Sequence, residues 1–154
     1  MKKTKRCCFA GHSKIFDSNE VYAKLLLFIE RLIVEERVTE FWFGNYGDFD
    51  SLSAKAARCL KSEYPHITLH LVIPYLTCVI NNYKEQFYKK YDSILMADIQ
   101  ESTPKRLYII KCNEYMVRNS DFMICYVQHS WGGAVKTLDY ANKQKSIKIF
   151  NLCE

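Results

Sequence analysis

Glycine and proline are scarce in this chain of 154 residues, which contains five glycines and three prolines. So little turn and linker material favours one domain over several domains on flexible linkers. No run of about 18 apolar residues is present, so the sequence predicts no membrane-spanning helix. The first apolar run stops at Gly11, too early for the hydrophobic part of a secretory signal. We therefore expect a soluble, cytoplasmic protein without a membrane partner.

Disulfide and metal-binding patterns are also missing. The seven cysteines form no C-x-x-C pair, and none is spaced with histidine as zinc ligands are. An odd number of cysteines fits reduced thiols in the cytoplasm better than a disulfide framework. The sequence predicts no metal site and no required cofactor.

The positive charge lies mostly at one end of the chain. The net charge is +5, and four of those charges come from Lys2, Lys3, Lys5 and Arg6. We interpret residues 1–6 as a basic tail. Because nucleic-acid phosphates are usually neutralised by a basic face, we do not expect nucleic acid as a partner.

Short apolar runs alternate with amphipathic segments along the chain. The runs predict six strands, at 7–11, 38–44, 67–75, 93–97, 122–127 and 147–152. Helices are predicted after a capping box of Asp17 and Glu20, at 51–63, after Pro104 and at 133–145, with a weaker helix at 81–90. This alternation predicts one Rossmann-like domain over residues 1–154, a three-layer α/β/α sandwich with a mostly parallel sheet of about six strands.

Two of the predicted strand-to-helix loops contain residues suited to ligand binding, and parallel strands bring such loops to one edge of the sheet. These residues are Gly11, His12 and Ser13 in the first loop and Gly44, Gly47 and Asp50 in the second. Either the first loop hydrogen-bonds a phosphate or ribose, or Gly11 only permits the chain to turn. Likewise, either the second loop lets a ligand approach the backbone, or Asp50 only caps the next helix.

A third loop gives a clearer pattern. Gly132 and Gly133 stand before a predicted helix, where free N–H groups and the helix dipole stabilise an anion such as phosphate. Thr137 adds a hydroxyl one turn later, His129 precedes the glycines, and Trp131 is placed to stack on a base. A tight turn explains the glycine pair equally well. The pattern is neither G-x-G-x-x-G nor a P-loop, so it predicts neither standard nucleotide fingerprint.

The chain resembles a short bacterial branch of the SLOG superfamily in five segments: CCFAGHSKI, FGNYGDFDSLSAKA, YPHITLHLVIPY, KCNEYMVRNSDFMICYV and HSWGGAVKTLDYANKQ. That superfamily of Rossmann-like proteins includes the LOG-type nucleotide phosphoribohydrolases and the Smf/DprA DNA-processing proteins. The resemblance implies binding of a nucleotide or nucleotide-derived small molecule, by a sensor or by an enzyme. The family motifs fall on Gly11, His12, Gly44, Gly47, Phe49, Asp50, Asn113, Met116, Ser120, Asp121, Gly132, Gly133 and Thr137.

Some positions depart from the family pattern. Ser13 and Cys112 stand where relatives often have arginine, and Asn45 replaces a glycine. Neither serine nor cysteine offers the bidentate geometry with which arginine binds phosphate. The catalytic glutamate of the LOG-type hydrolases has its nearest counterpart in Asp139, which is shorter and offset.

The resemblance leaves two alternatives to simple binding. One is hydrolysis of an N-glycosidic or phosphoribosyl bond, with Asp50, Glu114 or Asp139 stabilising an oxocarbenium-like centre or activating water. The other is DNA binding of the Smf/DprA type.

Assembly is a separate expectation. Segment 81–91 is rich in tyrosine and places Tyr83, Phe87 and Tyr91 on one helical stripe, with Tyr88 beside it facing solvent or a partner. From the residues alone, a monomer with this helix in solvent fits equally well. Since SLOG proteins are often oligomeric, the resemblance favours a homodimer, which we expect.

Overall fold

A computed structural model describes residues 4–76 and 78–153 and has the α/β architecture expected from the sequence. Its single sheet has six strands: β1 Lys5–Gly11, β2 Val38–Phe43, β3 Thr68–Ile73, β4 Ser93–Met96, β5 Phe122–Tyr126 and β6 Lys148–Asn151. All neighbouring pairs are parallel, in the order β4-β3-β2-β1-β5-β6. The Rossmann-like fold class is confirmed.

Helices cover both faces of the sheet. They are α1 Ser18–Val34, α2 Asp48–Lys61, α3 Cys78–Asn82, α4 Lys84–Lys90, α5 Tyr108–Arg118 and α6 Gly133–Asn142, with a 3-10 turn at Lys105–Leu107 before α5. Helix α1 packs against α2 on one face, and α5 packs against α6 on the other. Alternate side chains of each strand enter the two cores: Phe9 and Phe43 stack on the α1/α2 side, whereas Cys8 and Ala10 lie on the α5/α6 side.

The strand order reverses at the centre of the sheet. From β1 the chain adds β2, β3 and β4 in one direction, and it then crosses over to place β5 and β6 on the other side of β1. Connections leaving β1 and β5 therefore diverge to opposite faces. At such a switch point a crevice opens beyond the carboxyl ends of the strands, and ligands of open α/β sheets bind there.

The predicted basic tail is shorter than the sequence suggested. Lys5 and Arg6 belong to β1, and the Arg6 guanidinium pairs with Glu40 at 2.5 Å and lies over the Trp42 ring at 4.0 Å. Two of the four basic residues assigned to the tail, Lys5 and Arg6, therefore belong to the sheet. Lys2 and Lys3 lie outside the described residues.

Two local predictions were wrong. Asp17 occupies the N-cap of α1 but makes no capping hydrogen bond, because its φ of −99° and ψ of 57° lie outside the usual N-cap conformation. Glu20 instead forms an ion pair with Lys24, with 3.6 Å between Glu20 Oε1 and Lys24 Nζ. The single helix predicted at 81–90 is split into α3 and α4 at Tyr83, consistent with the poor helix propensity of the preceding asparagines. Tyr83 is consequently exposed whereas Tyr91 is buried, so they do not share one packed stripe.

None of the seven cysteines, which all lie within the described residues, takes part in a disulfide. None of the helices in the described ranges is both long enough and apolar enough to cross a membrane.

Candidate functional site

A cleft of about 490 Å³ opens at the switch point between β1 and β5. Its walls come from the β1–α1 loop (12–17), the β2–α2 loop (44–47), the start of α5 and the β5–α6 loop (127–132) with the start of α6. The side chains and backbone that line it belong to Phe9, Ala10, Gly11, His12, Ser13, Lys14, Phe16, Tyr46, Asp50, Ile109, Asn113, His129, Trp131, Gly132, Gly133 and Ala134. The loops picked out from the sequence thus meet in one place.

Three rings form a continuous stack on one wall of the cleft. His12 lies parallel to His129 with centroids 3.7 Å apart, and His129 lies parallel to Trp131 at 3.8 Å. His129 Nδ1 is 2.9 Å from the Trp131 carbonyl, which can only accept, so that nitrogen carries a proton. Trp131 ends the stack and remains 68% exposed. The indole therefore presents a large apolar surface to anything that enters the cleft.

The N-terminus of α6 forms another part of the wall. Gly132 is its N-cap with φ of 102°, a conformation that favours glycine, and no side chain of the described residues caps the helix. The first helical hydrogen bond runs from Lys136 N–H to the Gly132 carbonyl, so the N–H groups of residues 133–135 have no acceptor within the helix. Lys14 adds a positive side chain to the same cleft. This arrangement suits an anionic group.

Asp50 is the carboxylate of the cleft. It lies in the first turn of α2 and accepts the Tyr46 N–H at 2.9 Å through Oδ2, so it does not cap α2, whose N-cap is Gly47. Gly44 leaves room for this carboxylate, since a Cβ there would stand 3.0 Å from Oδ2, closer than ordinary van der Waals contact. Burial raises the pKa of Asp50 to about 6, although the Tyr46 N–H opposes the shift. Burial also raises the pKa of Tyr46. A carboxyl group that titrates near neutrality can hold or transfer a proton.

Gly47 and Asp48 join the first two loops behind the cleft. Gly47 has φ of 141°, and a Cβ on it would stand 2.5 Å from Ser13 Cα. Asp48 donates its N–H to the Ser13 carbonyl at 2.8 Å and accepts the Ile15 N–H at 3.0 Å. Gly47 and Gly44 therefore shape the site from behind and do not line it.

The other site residues proposed from the sequence lie on helices α5 and α6, and only some of them reach the main cleft. Asn113 lines the cleft from α5, and its half-buried amide has no hydrogen-bond partner in the described part of the chain. Glu114 lines a separate cleft of about 250 Å³ and pairs with Lys111 at 3.3 Å. Asp139 is exposed on α6, away from the lining of the main cleft. Thr137 is buried and donates its hydroxyl to the Gly133 carbonyl at 3.0 Å. Its hydroxyl is thus used within α6.

Several lining residues were not proposed from the sequence. Phe16, 90% exposed, and Ile109, 41% exposed, border the cleft beside Lys14 and Tyr46. A large apolar side chain in a surface loop, as at Phe16, is the signal that could have pointed to them. Within residues 4–76 and 78–153, no group of three or more His, Cys, Asp or Glu side chains could hold a metal ion.

A family model described as the YspA SLOG family matches residues 20–151. The chain belongs to this SLOG family. The resemblance found in the sequence is thereby confirmed. This SLOG protein is 28% identical over 127 residues to UPF0398 protein BH1768 from Halalkalibacterium halodurans, an alignment that covers 78% of the chain and 67% of the relative.

Two solved structures of DNA processing protein A resemble this SLOG protein in fold. The one from Streptococcus pneumoniae matches with a TM-score of 0.68 and 14% identity over 95% of the chain. The one from Helicobacter pylori, known for a single-stranded DNA binding mode, matches with a TM-score of 0.65 and 13% identity over 94% of the chain. The chain spans 50% and 64% of the lengths of those proteins. At these identities the likeness concerns the fold.

Proposed function

We propose that this SLOG protein binds a nucleotide or a nucleotide-derived small molecule in the cleft between β1 and β5. The observation that carries the proposal is that an uncapped helix N-terminus and an exposed, stacked indole stand on the walls of one cleft at the switch point. The first suits a phosphate and the second suits a base. Membership of a SLOG family supports the same ligand class.

The size and polarity of the cleft agree with this ligand class. A volume of about 490 Å³ falls within the range of about 300–1,000 Å³ of small-molecule sites. In our proposal the phosphate lies at the start of α6 near Lys14, and the base lies against Trp131. The amide of Asn113 and the hydroxyl of Ser13 are then available to ribose.

Isothermal titration with a panel of nucleoside phosphates and ADP-ribose tests the proposal. Gly133→Val should abolish binding without disturbing the fold, because a Cβ at Gly133 meets no atom within 4 Å and its side chain projects from a cleft-lining position. Ser130→Val is the matched control, since Ser130 is exposed in the same loop but does not line the cleft. No binding tighter than millimolar by any compound, or equal affinity in both variants, would count against the proposal.

Hydrolysis of an N-glycosidic or phosphoribosyl bond is a second candidate, favoured by the position of Asp50. Of the three carboxylates proposed from the sequence, Asp50 lines the cleft and has a pKa raised to about 6, whereas Glu114 and Asp139 lie elsewhere. Asp50 would stabilise an oxocarbenium-like centre or activate water.

Incubation with nucleoside monophosphates, followed by chromatography for free base, decides whether this chemistry occurs. Asp50→Asn should abolish release, and Glu114→Gln and Asp139→Asn should leave it unchanged. Release that survives Asp50→Asn would exclude the proposed role of Asp50.

Single-stranded DNA belongs in the same binding panel, because the H. pylori protein of similar fold binds it. Phe16 and Trp131 are exposed aromatic side chains at the cleft, and exposed aromatic rings are typical stacking platforms for single strands. An oligonucleotide that competes with the bound nucleotide would show that both use this cleft.

A further inference from the structure

His12 connects two of the loops that form the cleft. It follows β1, is 8% exposed, and its Nε2 lies 2.8 Å from the Gln128 backbone nitrogen and 3.5 Å from that of His129. Both groups belong to the β5–α6 loop, on the far side of the switch point. A backbone N–H only donates, so Nε2 must accept with its lone pair. The Gln128 bond is the shorter and therefore the main one.

This geometry selects one protonation state of the ring. An imidazole whose Nε2 accepts a hydrogen bond carries its proton on Nδ1 and is neutral. No residue within 4–76 and 78–153 hydrogen-bonds to His12 Nδ1. His129 covers one face of the His12 ring. Within the described residues, Nδ1 is not among the fully buried polar atoms that lack a partner, so it is accessible from the cleft that His12 lines.

We propose that His12 is a neutral positioning residue, with its proton on Nδ1, that ties the β1–α1 loop to the β5–α6 loop and offers Nδ1–H to an acceptor atom of the ligand. The tie, by which we mean the hydrogen bond from the Gln128 N–H to His12 Nε2, needs no ligand, but the donor role rests on the proposed function. The acceptor would be a phosphate, ribose or base oxygen or a ring nitrogen.

The surroundings of His12 oppose its protonation. Burial first, and the neighbouring His129 second, lower the pKa of His12 below its ordinary value of 6.5. Protonation at Nε2 would also replace the acceptor of the Gln128 N–H with a second donor. Acidification should therefore release the loop that carries Trp131 and leads into α6. The titratable groups that share these surroundings are His129 and Tyr126 beside the ring and Lys14, Tyr46 and Asp50 on the cleft.

Two substitutions separate the roles of the two ring nitrogens. His12→Gln places an amide oxygen at about the reach of Nε2, so it keeps an acceptor for Gln128 and loses both the Nδ1 donor and the titration. His12→Asn is too short to reach Gln128 but keeps a donor near Nδ1. His12→Met is the size-matched control for His12→Gln, because methionine fills similar space but offers no strong acceptor. A purely space-filling role would make His12→Met and His12→Gln alike.

Nitrogen-resolved NMR of the ¹⁵N-labelled full chain without ligand tests the tie. At pH 7.5 the long-range spectrum should show His12 protonated at Nδ1 and unprotonated at Nε2. On acidification, ring protonation should coincide with loss of exchange protection at the Gln128 amide. His12→Gln should keep that protection at all pH values, and His12→Asn should lower it about three- to tenfold. Two results would overturn the proposal. One is a proton on His12 Nε2 at pH 7.5, and the other is exchange protection of the Gln128 amide that does not change when the His12 ring is protonated.

Binding of ADP-ribose tests the donor role, because its pyrophosphate does not titrate between pH 5 and 8. In an Asp50→Asn background, which removes the cleft carboxyl group whose pKa is raised to about 6, affinity should fall as pH falls through the His12 pKa. His12→Gln should weaken binding about three- to tenfold and remove this pH dependence. Affinity that rises on acidification would mean that an imidazolium attracts the phosphate and would refute the donor role. If no compound of the panel binds, both the donor role and the proposed function are refuted. The NMR spectra, recorded without ligand, test the His12–Gln128 hydrogen bond independently of that result.

Discussion

Asp50→Asn should stabilise the protein above neutral pH. In the folded chain the pKa of Asp50 is raised to about 6 from 3.8, mainly by burial. A carboxyl group that binds its proton more tightly when folded contributes full stability below its unfolded pKa, and this contribution is lost as pH rises through the folded pKa. Asparagine keeps an oxygen for the Tyr46 N–H but never ionises. The variant should therefore avoid the loss.

The size of the effect follows from the difference between the two pKa values. At about 1.36 kcal/mol for each tenfold change in proton affinity, that difference corresponds to about 3 kcal/mol of unfolding free energy above pH 7. Between pH 4 and pH 6 the advantage of the variant should grow steadily, and below pH 4 it should vanish.

Urea denaturation of the wild type and Asp50→Asn at pH 4, 5, 6 and 8 measures this difference. Glu114→Gln is the control, because Glu114 lies on another cleft and pairs with Lys111. Parallel pH profiles for wild type and Asp50→Asn would refute a raised pKa. A gain at high pH would indicate that this carboxylate is retained at a cost in stability, as is typical of functional sites.

Three further predictions concern the loops, the stack and the assembly. Gly47→Ala should cost on the order of 1–3 kcal/mol of unfolding free energy, because a φ of 141° is strained for alanine and the Cβ would meet Ser13. The control Gly133→Ala should cost nothing, and equal urea midpoints for the two variants would contradict this prediction. Trp131→Ala should weaken nucleotide binding by about 1–3 kcal/mol in titration calorimetry, and Tyr75→Ala, which removes an exposed ring outside the cleft, should not. Light scattering at micromolar concentration should give a dimer that Tyr88→Glu dissociates, since Tyr88 is 53% exposed and Val79 and Tyr83, earlier in the α3–α4 region of the chain, are exposed as well. A clean monomer mass for the wild type would refute the dimer.

The strands were predictable because buried parallel strands form short apolar runs that end at breakers. The run at 38–44 corresponds to β2, Val38–Phe43. The run at 67–75 extends past β3, which ends at Ile73, because Pro74 cannot donate to the sheet. Capping was less predictable, since the dihedral angles of Asp17 decide whether its side chain reaches the helix.

The site was predictable only in part. Loops after parallel strands share an edge, so His12, Asp50 and Gly133 could be brought together without a structure. Which residue of a helix reaches the cleft could not be predicted in the same way, because successive helical residues point about 100° apart. Asn113 lines the main cleft, whereas the next residue, Glu114, lines the second cleft. The tie between His12 and Gln128 depends on the crossover that places β5 beside β1, which no local pattern reveals.

A ¹H–¹⁵N chemical-shift titration of the labelled protein with the tightest-binding compound of the panel shows whether a nucleotide derivative binds in the cleft between β1 and β5. If the ligand binds at the switch point, the perturbed amides will be those of residues 11–14 and 132–134, on its two sides, and Gly133→Val will remove the perturbation. Shifts centred on the second cleft around Glu114, or no shifts with any nucleotide derivative, would contradict the proposed site.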